Sequence, residues 1–412
     1  MPTLTKKVCI ISTGKGCASN LMENALLSRE IENQGMICTS SAADADFLII
    51  GSCGYSAESE NFTLQTLKDF KQKFPNKEII VGGCLPKINN QELKKIHSGN
   101  TFSPGETNLL LSHLGITNEV SYAPIEGIQL SDDVFYQLPW HYRFFCRTRN
   151  LVFKFENFTQ TKFQPLHNIL KTATVTPQAI NLPIAKGCLG TCTYCAIKKA
   201  RGPVISTPLH EILQMFQSSL EKKHNEFWLN ADDLGCWGQD IGSNIVILLK
   251  EILSFKQNFT LVLSYLSPEW LIRYKNDLLS LLKDPRIIAV YIPIHSGSNS
   301  ILKRMGRHYT IEEILPLCQK LKENNKQLAL KTNYILSFPN ETFYDFIKSC
   351  LTMHYFDFIV FNTFSPRPET PAFYFPHRKN AFYRTTCSLF FKIATSAHHL
   401  YIALSSLVRR ST

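Results

Sequence analysis

Three cysteines lie within one short segment of this chain, KGCLGTCTYCAIKKARG, residues 186–202. Cys188, Cys192 and Cys195 have the spacing CxxxCxxC and follow the strand-like run INLPIA. Ligation by thiolates alone favours zinc or an iron–sulfur cluster. A structural zinc site needs four ligands, usually as two separated pairs, and no partner CxxC pair follows here. Three cysteines can instead hold a 4Fe-4S cluster with one iron left open, which is useful when a small ligand must bind that iron.

A second set of three cysteines is spread over the N-terminal part of the chain. Cys17, Cys53 and Cys84 each follow an apolar run typical of a buried strand, with spacings of 36 and 31 residues. Parallel strands end at one edge of a sheet, where open α/β sheets bind ligands, so we expect the three thiols to meet there. Packing of a small buried thiol is the competing interpretation for each cysteine taken singly. The repetition in three successive units favours a shared metal or cluster site.

Alternating apolar runs and helical patterns predict the elements that position both cysteine sets. Residues 1–105 predict an open parallel α/β sheet domain, built on the runs VCIIST, DFLIIGS and EIIVGG. Residues 181–372 predict a partial or complete TIM-type barrel, with a doubly wound sheet as the competing topology. Its strand candidates are FWLNA, TLVLSYL, IIAVYIPI, LALKTNYILSF and FDFIVFNTF.

Two segments lie outside these domains. Residues 106–180 show no clear period and are interpreted as a linker of uncertain structure, and residues 373–412 are interpreted as a basic helical tail. The tail includes a candidate membrane segment, 388–408, but Lys392, His398 and His399 are costly in hydrocarbon. We therefore expect a packed or interfacial helix and no membrane partner.

Charge and cysteine content indicate the partner and the compartment. The chain has 412 residues, 13 cysteines and a formal net charge of +11. Residues 141–210 hold 10 Lys and Arg against 1 Asp or Glu, and residues 366–412 hold 7 against 1. Such stretches favour a polyanionic partner such as RNA, with a solvated basic surface as the alternative. No signal peptide is visible and the thiols need no disulfide framework, so we expect a cytoplasmic protein.

The cysteine loop and several later segments together resemble the radical S-adenosylmethionine (radical SAM) methylthiotransferase family. The family's "LPVQSGS…L..M.R.YT" resembles IPIHSGSNSILKRMGRHYT, residues 292–310. Its "TDIIVGFPGET..DF" resembles residues 332–346, and its "YSPRPGTPA" resembles residues 364–372. The N-terminal cysteines match the family's second cluster domain. The segment DDLGCWGQDIG, residues 232–242, is closest to the archaeal and eukaryotic-type threonylcarbamoyladenosine tRNA methylthiotransferases.

This resemblance implies an enzyme that inserts a methylthio group at C2 of N6-threonylcarbamoyladenosine, next to the anticodon of tRNA. Alternatives are methylthiolation of a peptide or ribosomal protein, or of isopentenyladenosine in tRNA. A different class of function, a non-catalytic iron–sulfur protein that binds RNA, also stays open. The family usually ends in a small β-barrel that binds RNA, whereas residues 373–412 read as helix, which is why a peptide substrate is retained as an alternative.

The resemblance also implies cofactors and site residues. Cys188, Cys192 and Cys195 would be the catalytic cysteines, holding the 4Fe-4S cluster that cleaves S-adenosyl-L-methionine to a 5′-deoxyadenosyl radical. Cys17, Cys53 and Cys84 would hold a second 4Fe-4S cluster for the sulfur to be transferred. A sulfur donor and an external electron donor such as flavodoxin or ferredoxin complete the expected partners. The expected cofactor-binding residues are Tyr194, Asp232, His295, Ser296, Ser298 and Asn333.

Two further assignments concern neighbours of these residues. Arg201, Lys198 and Lys199 are interpreted as contacts to RNA phosphates or to the pocket. Cys236 belongs to neither triplet and is interpreted as a packing residue.

We expect anaerobically reconstituted protein to bind about eight irons in two 4Fe-4S clusters. Alanine at Cys188, Cys192 and Cys195 should remove one cluster and leave the other, because the second triplet lies elsewhere in the chain. Iron and acid-labile sulfide analysis measures both. A protein that binds only zinc, or that loses both clusters when either triplet is replaced, would contradict the two-cluster interpretation.

Overall fold

The computed structural model describes residues 6–14, 18–104, 106–116, 125–126, 179–376 and 378–408. The predicted ligand Cys17 and most of the predicted linker lie outside the described residues. The chain divides into two compact units, here called the sheet unit and the barrel unit. The sheet unit comprises Met1–Arg147, Cys195–Pro203 and Ser365–Thr370, and the barrel unit comprises Thr148–Tyr194, Val204–Phe364 and Pro371–Thr412.

The sheet unit contains a four-stranded parallel sheet in the order β2-β1-β3-β4. Its strands are β1 Lys7–Ser12, β2 Ile37–Cys38, β3 Phe47–Ser52 and β4 Glu78–Gly83, and Ile125–Glu126 forms a further short strand, β5. The unit's helices are α1 Ala18–Asn33, α2 Ala57–Lys73, α3 Leu85–Ile88, α4 Asn90–Lys94, α5 Thr107–His113 and α6 Ile197–Arg201.

Alternation along the strands buries both faces of this sheet. Leu48 and Ile50 of β3 pack in one cluster with Leu67 of α2, whereas Ile49 packs in the other with Ile31 of α1. Continuous apolar runs are expected of strands that are covered by helices on both sides. The structure therefore confirms an open parallel sheet covered on both faces, and a ligand site at the carboxyl ends of its strands stays a prediction.

The barrel unit is built on parallel strands whose order in the sheet follows the order of the chain, β6-β9-β10-β11-β12-β13. These strands are β6 Ile180–Pro183, β9 Glu226–Asn230, β10 Thr260–Leu263, β11 Ile287–Tyr291, β12 Ala329–Leu336 and β13 Phe358–Thr363. A doubly wound sheet would reverse its strand order at a switch point. The uniform order therefore excludes the competing topology and confirms the TIM-type interpretation.

Helices cover the outside of this sheet, and an antiparallel strand pair brackets the cysteine loop. The pair is β7 Ala185–Lys186 with β8 Ile205–Ser206. The helices are α7 Leu209–Glu221, α8 Ile245–Ser254, α9 Pro268–Arg273, α10 Lys275–Leu281, α11 Asn299–Arg304, α12 Ile311–Asn324, α13 Phe343–Leu351 and α14 Ala381–Val408. Short 3₁₀ turns occur at Leu234–Cys236, Met353–Tyr355 and Pro371–Tyr374.

Aromatic side chains fill the space between the helices and the outer face of the strands. The ring of Phe216 on α7 lies 4.3 Å from that of Phe227 on β9 and 5.0 Å from that of Phe259. Trp228 and Val262, which pair in register, belong to a second cluster on the other face of the strands. Burial on both faces fixes which side chains of each strand point inward. It thereby also fixes the position of the residues at the carboxyl end of each strand.

The C-terminal residues form helix α14, in agreement with the predicted helical tail. Phe391 is fully buried, and its ring lies 5.2 Å from that of Tyr334 and 5.1 Å from that of Phe361. His399 accepts the backbone N–H of Ile359 at 2.9 Å, so the helix occupies a donor of strand β13. In the part of the chain that the structure describes, no helix has the length and apolarity needed to cross a membrane.

The buried imidazole of His399 predicts a pH dependence of stability. Burial, and to a smaller extent His398, lowers the pKa of His399 to about 4. An unfolded histidine has a pKa of about 6.5, so the unfolded state binds more protons between these values. The free energy of unfolding therefore falls as the pH drops through this window. His399→Gln keeps an acceptor for Ile359 and removes the titration.

Between pH 7 and pH 5 we expect the wild type to lose about 1–2 kcal/mol more stability than His399→Gln. Chemical denaturation at each pH measures this difference. His210 is an exposed histidine on α7, so His210→Gln should keep the wild-type dependence. Identical pH profiles for the wild type and His399→Gln would show that His399 does not contribute.

Candidate functional site

The candidate site of the barrel unit lies where its parallel strands end. The cysteine loop follows β6 and β7, Asp232 and Asp233 follow β9, and His295 follows β11. Asn333 lies within β12, paired with Val360 of β13. Carboxyl ends of barrel strands are where enzymes of this architecture place reactive groups, because the loops there converge on one rim.

Hydrogen bonds fix the cysteine loop to segments that are distant in the sequence. The Asp232 carboxylate accepts the backbone N–H of Gly187 at 2.8 Å. On the other side, Thr193 donates its backbone N–H to the carbonyl of Met305 at 2.9 Å and its hydroxyl to the carbonyl of Arg304 at 2.8 Å. The loop is therefore held by the turn after β9 and by the end of α11.

Two glycines allow the loop to approach its neighbours closely. A Cβ at Gly190 would lie 3.2 Å from the sulfur of Cys188 and 3.6 Å from that of Cys192. Gly306 has φ +71°, and a Cβ there would lie 2.8 Å from the carbonyl oxygen of Thr191. Glycine is thus required at 306 both by the backbone conformation and by the space available.

A buried arginine contacts the second cysteine of the loop. Arg307 donates from Nη1 to the sulfur of Cys192 at 3.2 Å and from Nη2 to the carboxylate of Glu269 at 3.1 Å. A hydrogen bond from a charged donor stabilises a thiolate over a thiol. The arrangement therefore places a charged donor against a sulfur that is predicted to ligate a metal.

Cys236, interpreted from the sequence as a packing residue, lies beside the first cysteine of the loop. The fold brings together three side chains that could ligate a metal, and their ligand atoms lie within 4.8 Å of one another: Cys188, Asp233 and Cys236. The sulfur of Cys236 accepts the N–H of Leu189 at 3.4 Å. The packing interpretation is therefore incomplete, and the available sequence signal was that Cys236 follows a barrel strand at the same rim.

The carboxylate of Asp233 is already engaged by the surrounding protein. It accepts Trp270 Nε1 at 2.9 Å and the backbone N–H groups of Ser267 and Gly235, each at 3.2 Å. Burial raises the pKa of Asp233 above its usual value. The residue therefore acts as a buried anchor for the turn that contains Cys236.

The pKa values of the Cys188 and Cys236 thiols are shifted in opposite directions. The hydrogen bond with Cys236 lowers the pKa of Cys188, and the same bond raises the pKa of Cys236. Gly190 donates its backbone N–H to the sulfur of Cys188 at 3.2 Å. Cys188 is thus the member of the pair that is prepared for metal ligation.

Three of the predicted cofactor-binding residues lie next to one another. The ring of Tyr194 lies 5.5 Å from that of His295, edge-on, and His295 donates its backbone N–H to the carbonyl of Asn333 at 2.9 Å. Burial, with a contribution from Arg307, lowers the pKa of His295 well below its usual value. Among the described residues, His295 Nδ1 and Asn333 Oδ1 are buried without a hydrogen-bond partner. Buried polar atoms of this kind are suited to a polar ligand.

The two predicted serines point to helix α13. Ser298 donates its hydroxyl to the carboxylate of Asp345 at 2.6 Å. The hydroxyl of Ser296 lies 3.4 Å from that of Ser349. Both side chains fasten the loop after β11 to α13, and their predicted role in cofactor binding stays a prediction.

The sheet unit holds the described part of the second cysteine set. Cys53 and Cys84 are buried at the carboxyl ends of β3 and β4, and Cys84 donates its backbone N–H to the carbonyl of Ser52 at 3.1 Å. Burial raises the pKa of Cys53, whereas the charges of Arg201 and Arg367 act in the opposite direction. Positive charge near these thiols fits ligation of a metal by their thiolates.

Each of these arginines has an acidic partner within the sheet unit. Arg201 pairs with Glu23 at 2.6 Å, and Arg367 pairs with Glu60 at 2.8 Å. The side chain of Arg201 is only 4% exposed. The expectation that Arg201 contacts an RNA phosphate is therefore wrong, because its guanidinium is buried and directed to a carboxylate.

Comparison with known proteins identifies the two halves of the chain. Residues 7–103 match the family described as uncharacterized protein family UPF0004, and residues 182–351 match the radical SAM superfamily. The chain is 27% identical over 363 residues to the probable threonylcarbamoyladenosine tRNA methylthiotransferase of Pyrococcus abyssi, covering 87% of this chain and 77% of that protein. It is 26% identical over 361 residues to the human threonylcarbamoyladenosine tRNA methylthiotransferase, covering 87% of this chain and 57% of that protein.

Solved structures support the fold. The radical SAM methyltransferase TsrM of Kitasatospora setae, with tryptophan and a SAM analogue bound, superimposes with a TM-score of 0.56 at 13% identity. The match covers 89% of this chain and 75% of TsrM. At this identity the likeness concerns the fold alone.

These matches define the class of protein, an enzyme of the radical SAM superfamily. Within that superfamily the matches confirm the prediction of a radical SAM methylthiotransferase. The chain combines a UPF0004 domain with a radical SAM domain, and its relatives in Pyrococcus abyssi and human are named methylthiotransferases. The class uses S-adenosyl-L-methionine and a 4Fe-4S cluster and carries a second cluster, in agreement with the predicted cofactors.

The described residues fit these groups, although the individual ligands stay predictions. Thiols are the donors that iron–sulfur clusters require. The glycine at 190 leaves space beside two of the cysteine sulfurs, and N–H donors face both. The unpartnered atoms of His295 and Asn333 would be available for hydrogen bonds to S-adenosylmethionine, as predicted from the sequence.

Gly306→Ala tests how the loop is positioned. The new methyl group would meet the carbonyl of Thr191, so we expect several-fold less cluster at Cys188, Cys192 and Cys195. Iron content and visible absorbance measure this in a protein whose second triplet is replaced by alanine.

Gly242→Ala is the matched control for this variant. Gly242 also has a positive φ, +69°, but nothing lies within 4 Å of the added Cβ. Both variants should lose about 1 kcal/mol to backbone strain. Equal cluster content in the two variants would show that contact with Thr191 does not position the loop.

Proposed function

We propose that this protein inserts a methylthio group at C2 of N6-threonylcarbamoyladenosine, next to the anticodon of tRNA. The observation that carries the proposal is the coincidence of a radical SAM cysteine loop with relatives from archaea and animals that are named for this reaction. The segment DDLGCWGQDIG, which resembles the same branch, supplies Asp232, the residue that holds the cysteine loop through Gly187.

The three cysteines of the loop and the residues after β11 and in β12 supply the chemistry at the adenine ring. Cys188, Cys192 and Cys195 would hold the first cluster, and His295 and Asn333 would bind S-adenosylmethionine. When bound, these groups supply the one-electron chemistry that removes a hydrogen atom from an unactivated aromatic carbon, which no acid or base at neutral pH can do.

The protein's own contribution is to hold these groups in a dry, defined place. Arg307 orients Cys192 and balances its negative charge, since the guanidinium bonds to both Cys192 and Glu269. His295 stays neutral because burial lowers its pKa, so it can bond a ligand without adding charge. The ring of Tyr194 packs against that of His295 in an edge-to-face arrangement and thereby holds the imidazole in place.

The sheet unit supplies the sulfur to be transferred. Cys53 and Cys84, with Cys17, would hold the second cluster at the edge of the parallel sheet. Arg201 and Arg367 place positive charge near Cys53, and this charge opposes the unfavourable burial of a thiolate. A sulfur donor must replenish this site after each turnover.

Charge and thiol chemistry support the proposed substrate and compartment. Exposed basic side chains such as Lys198, Arg378 and Lys392 suit the phosphates of tRNA. Two thiol-ligated clusters require a reducing compartment, so the reaction is placed in the cytoplasm with a reductant such as flavodoxin or ferredoxin.

Deletion of the gene in its host tests the proposal. We expect loss of 2-methylthio-N6-threonylcarbamoyladenosine from total tRNA, accumulation of the unmodified precursor, and no change in the methylthiolated isopentenyl derivative. Mass spectrometry of nucleosides from digested tRNA measures all three in one sample.

Complementation identifies the residues responsible. A gene carrying Cys188→Ala should fail to restore the nucleoside, whereas Cys350→Ala, a half-buried cysteine on α13, should restore it. An unchanged nucleoside profile in the deletion strain would exclude tRNA and favour a peptide or ribosomal protein. Restoration by Cys188→Ala would favour a non-catalytic RNA-binding protein.

A further inference from the structure

Cys236 is a fully buried thiol next to a predicted cluster ligand, although it belongs to neither cysteine triplet. Its sulfur lies within 4.8 Å of the sulfur of Cys188. The backbone N–H of Leu189, the residue after Cys188, donates to the sulfur of Cys236 at 3.4 Å. The turn that carries Cys236 therefore fastens itself directly to the cysteine loop.

The surroundings of Cys236 restrict what it can do. With Cys188 and Asp233 it forms a group of three residues that could ligate a metal. The Asp233 carboxylate, however, already accepts hydrogen bonds from Trp270, Ser267 and Gly235. These donors disfavour Asp233 as a ligand of an additional metal ion. The thiol of Cys236 donates a hydrogen bond to Asp233 Oδ2 at 3.5 Å, and its sulfur lies within 4.8 Å of the Cys188 sulfur. Once Cys188 is a metal-bound thiolate, it becomes a charged acceptor for that proton.

Hydrogen bonds to the cysteine sulfurs of a cluster change its reduction potential. A donor to the sulfur withdraws negative charge, and this favours the reduced cluster, which carries one more electron. In the described residues, Gly190 donates to Cys188 and Arg307 donates to Cys192, so both sulfurs already have one N–H donor. Cys236 would add a second donor to Cys188.

We propose that Cys236 is a positioning residue that donates a hydrogen bond to the Cys188 sulfur and thereby raises the reduction potential of the radical SAM cluster. The inference rests on the proposed function, because it requires that Cys188 ligates that cluster. A cluster that is easier to reduce passes its electron to S-adenosylmethionine less readily, so Cys236 balances ease of reduction against reactivity.

The test is a redox titration of the full-length chain, followed by electron paramagnetic resonance. Cys53→Ala and Cys84→Ala are present throughout, so that only one cluster contributes to the signal. At a fixed potential, the ratio of reduced to oxidised cluster in Cys236→Ala should be roughly tenfold lower than in the parent, a shift of about 59 mV for one electron. Cys236→Ser, which keeps a donor at this position, should stay close to the parent.

Cys318→Ala is the matched control, since Cys318 is equally buried in the same unit but lies on helix α12. It should leave the potential unchanged, which separates loss of packing from loss of the hydrogen bond. An unshifted potential in Cys236→Ala, or an equal shift in Cys236→Ser, would overturn the proposal. Loss of the cluster from Cys236→Ala would overturn it too, because Cys236 would then be a ligand.

The cluster content of the parent protein separates this inference from the proposed function. A parent that assembles no cluster at Cys188, Cys192 and Cys195 would overturn the proposed function itself. A parent that assembles the cluster, with an unshifted potential in Cys236→Ala, would overturn only the role of Cys236.

Discussion

The burial of one positive charge organises the candidate site of the barrel unit. The guanidinium of Arg307 is nearly removed from solvent, and a buried cation is tolerated only with close compensating groups. Those groups are the sulfur of Cys192, in the cysteine loop, and the carboxylate of Glu269, at the start of α9. One side chain therefore connects the loop to the helix after β10, and the same charge helps keep His295 neutral.

The two cysteine sets stabilise their sulfurs by different means. Cys188 and Cys192 each receive an N–H donor at hydrogen-bond distance. Cys53 is buried near Arg201 and Arg367, each of which is paired with a glutamate. Burial dominates there and raises the pKa of the Cys53 thiol. The predicted ligation of a metal by Cys53 would therefore depend more on the charge of the metal itself.

Much of the fold could be predicted from the sequence, because apolar periodicity reports which residues are buried. The runs that predict strands correspond to β1, β3, β4 and β9 to β13 within a few residues. The order of strands in the sheet could not be predicted, since burial does not identify a strand's neighbour. The contact of Cys236 with the cysteine loop was missed for a similar reason: the Leu189–Cys236 hydrogen bond joins residues 47 apart. Arg201 was misread because its partner, Glu23, lies 178 residues away.

The uniform strand order has a consequence for synthesis of the protein on the ribosome. Each of the strands β9 to β13 pairs with the preceding strand of the same sheet. The sheet can therefore grow by successive additions as the chain emerges. The cysteine loop belongs to the first of these strands, yet Thr193 is held by Arg304 and Thr191 by His308, 111 and 117 residues later. The earliest part of the barrel thus acquires its final shape only after the middle of the unit has been translated. Any cluster held by this loop would consequently be inserted after synthesis of strand β11 and helix α11, and would not nucleate the fold.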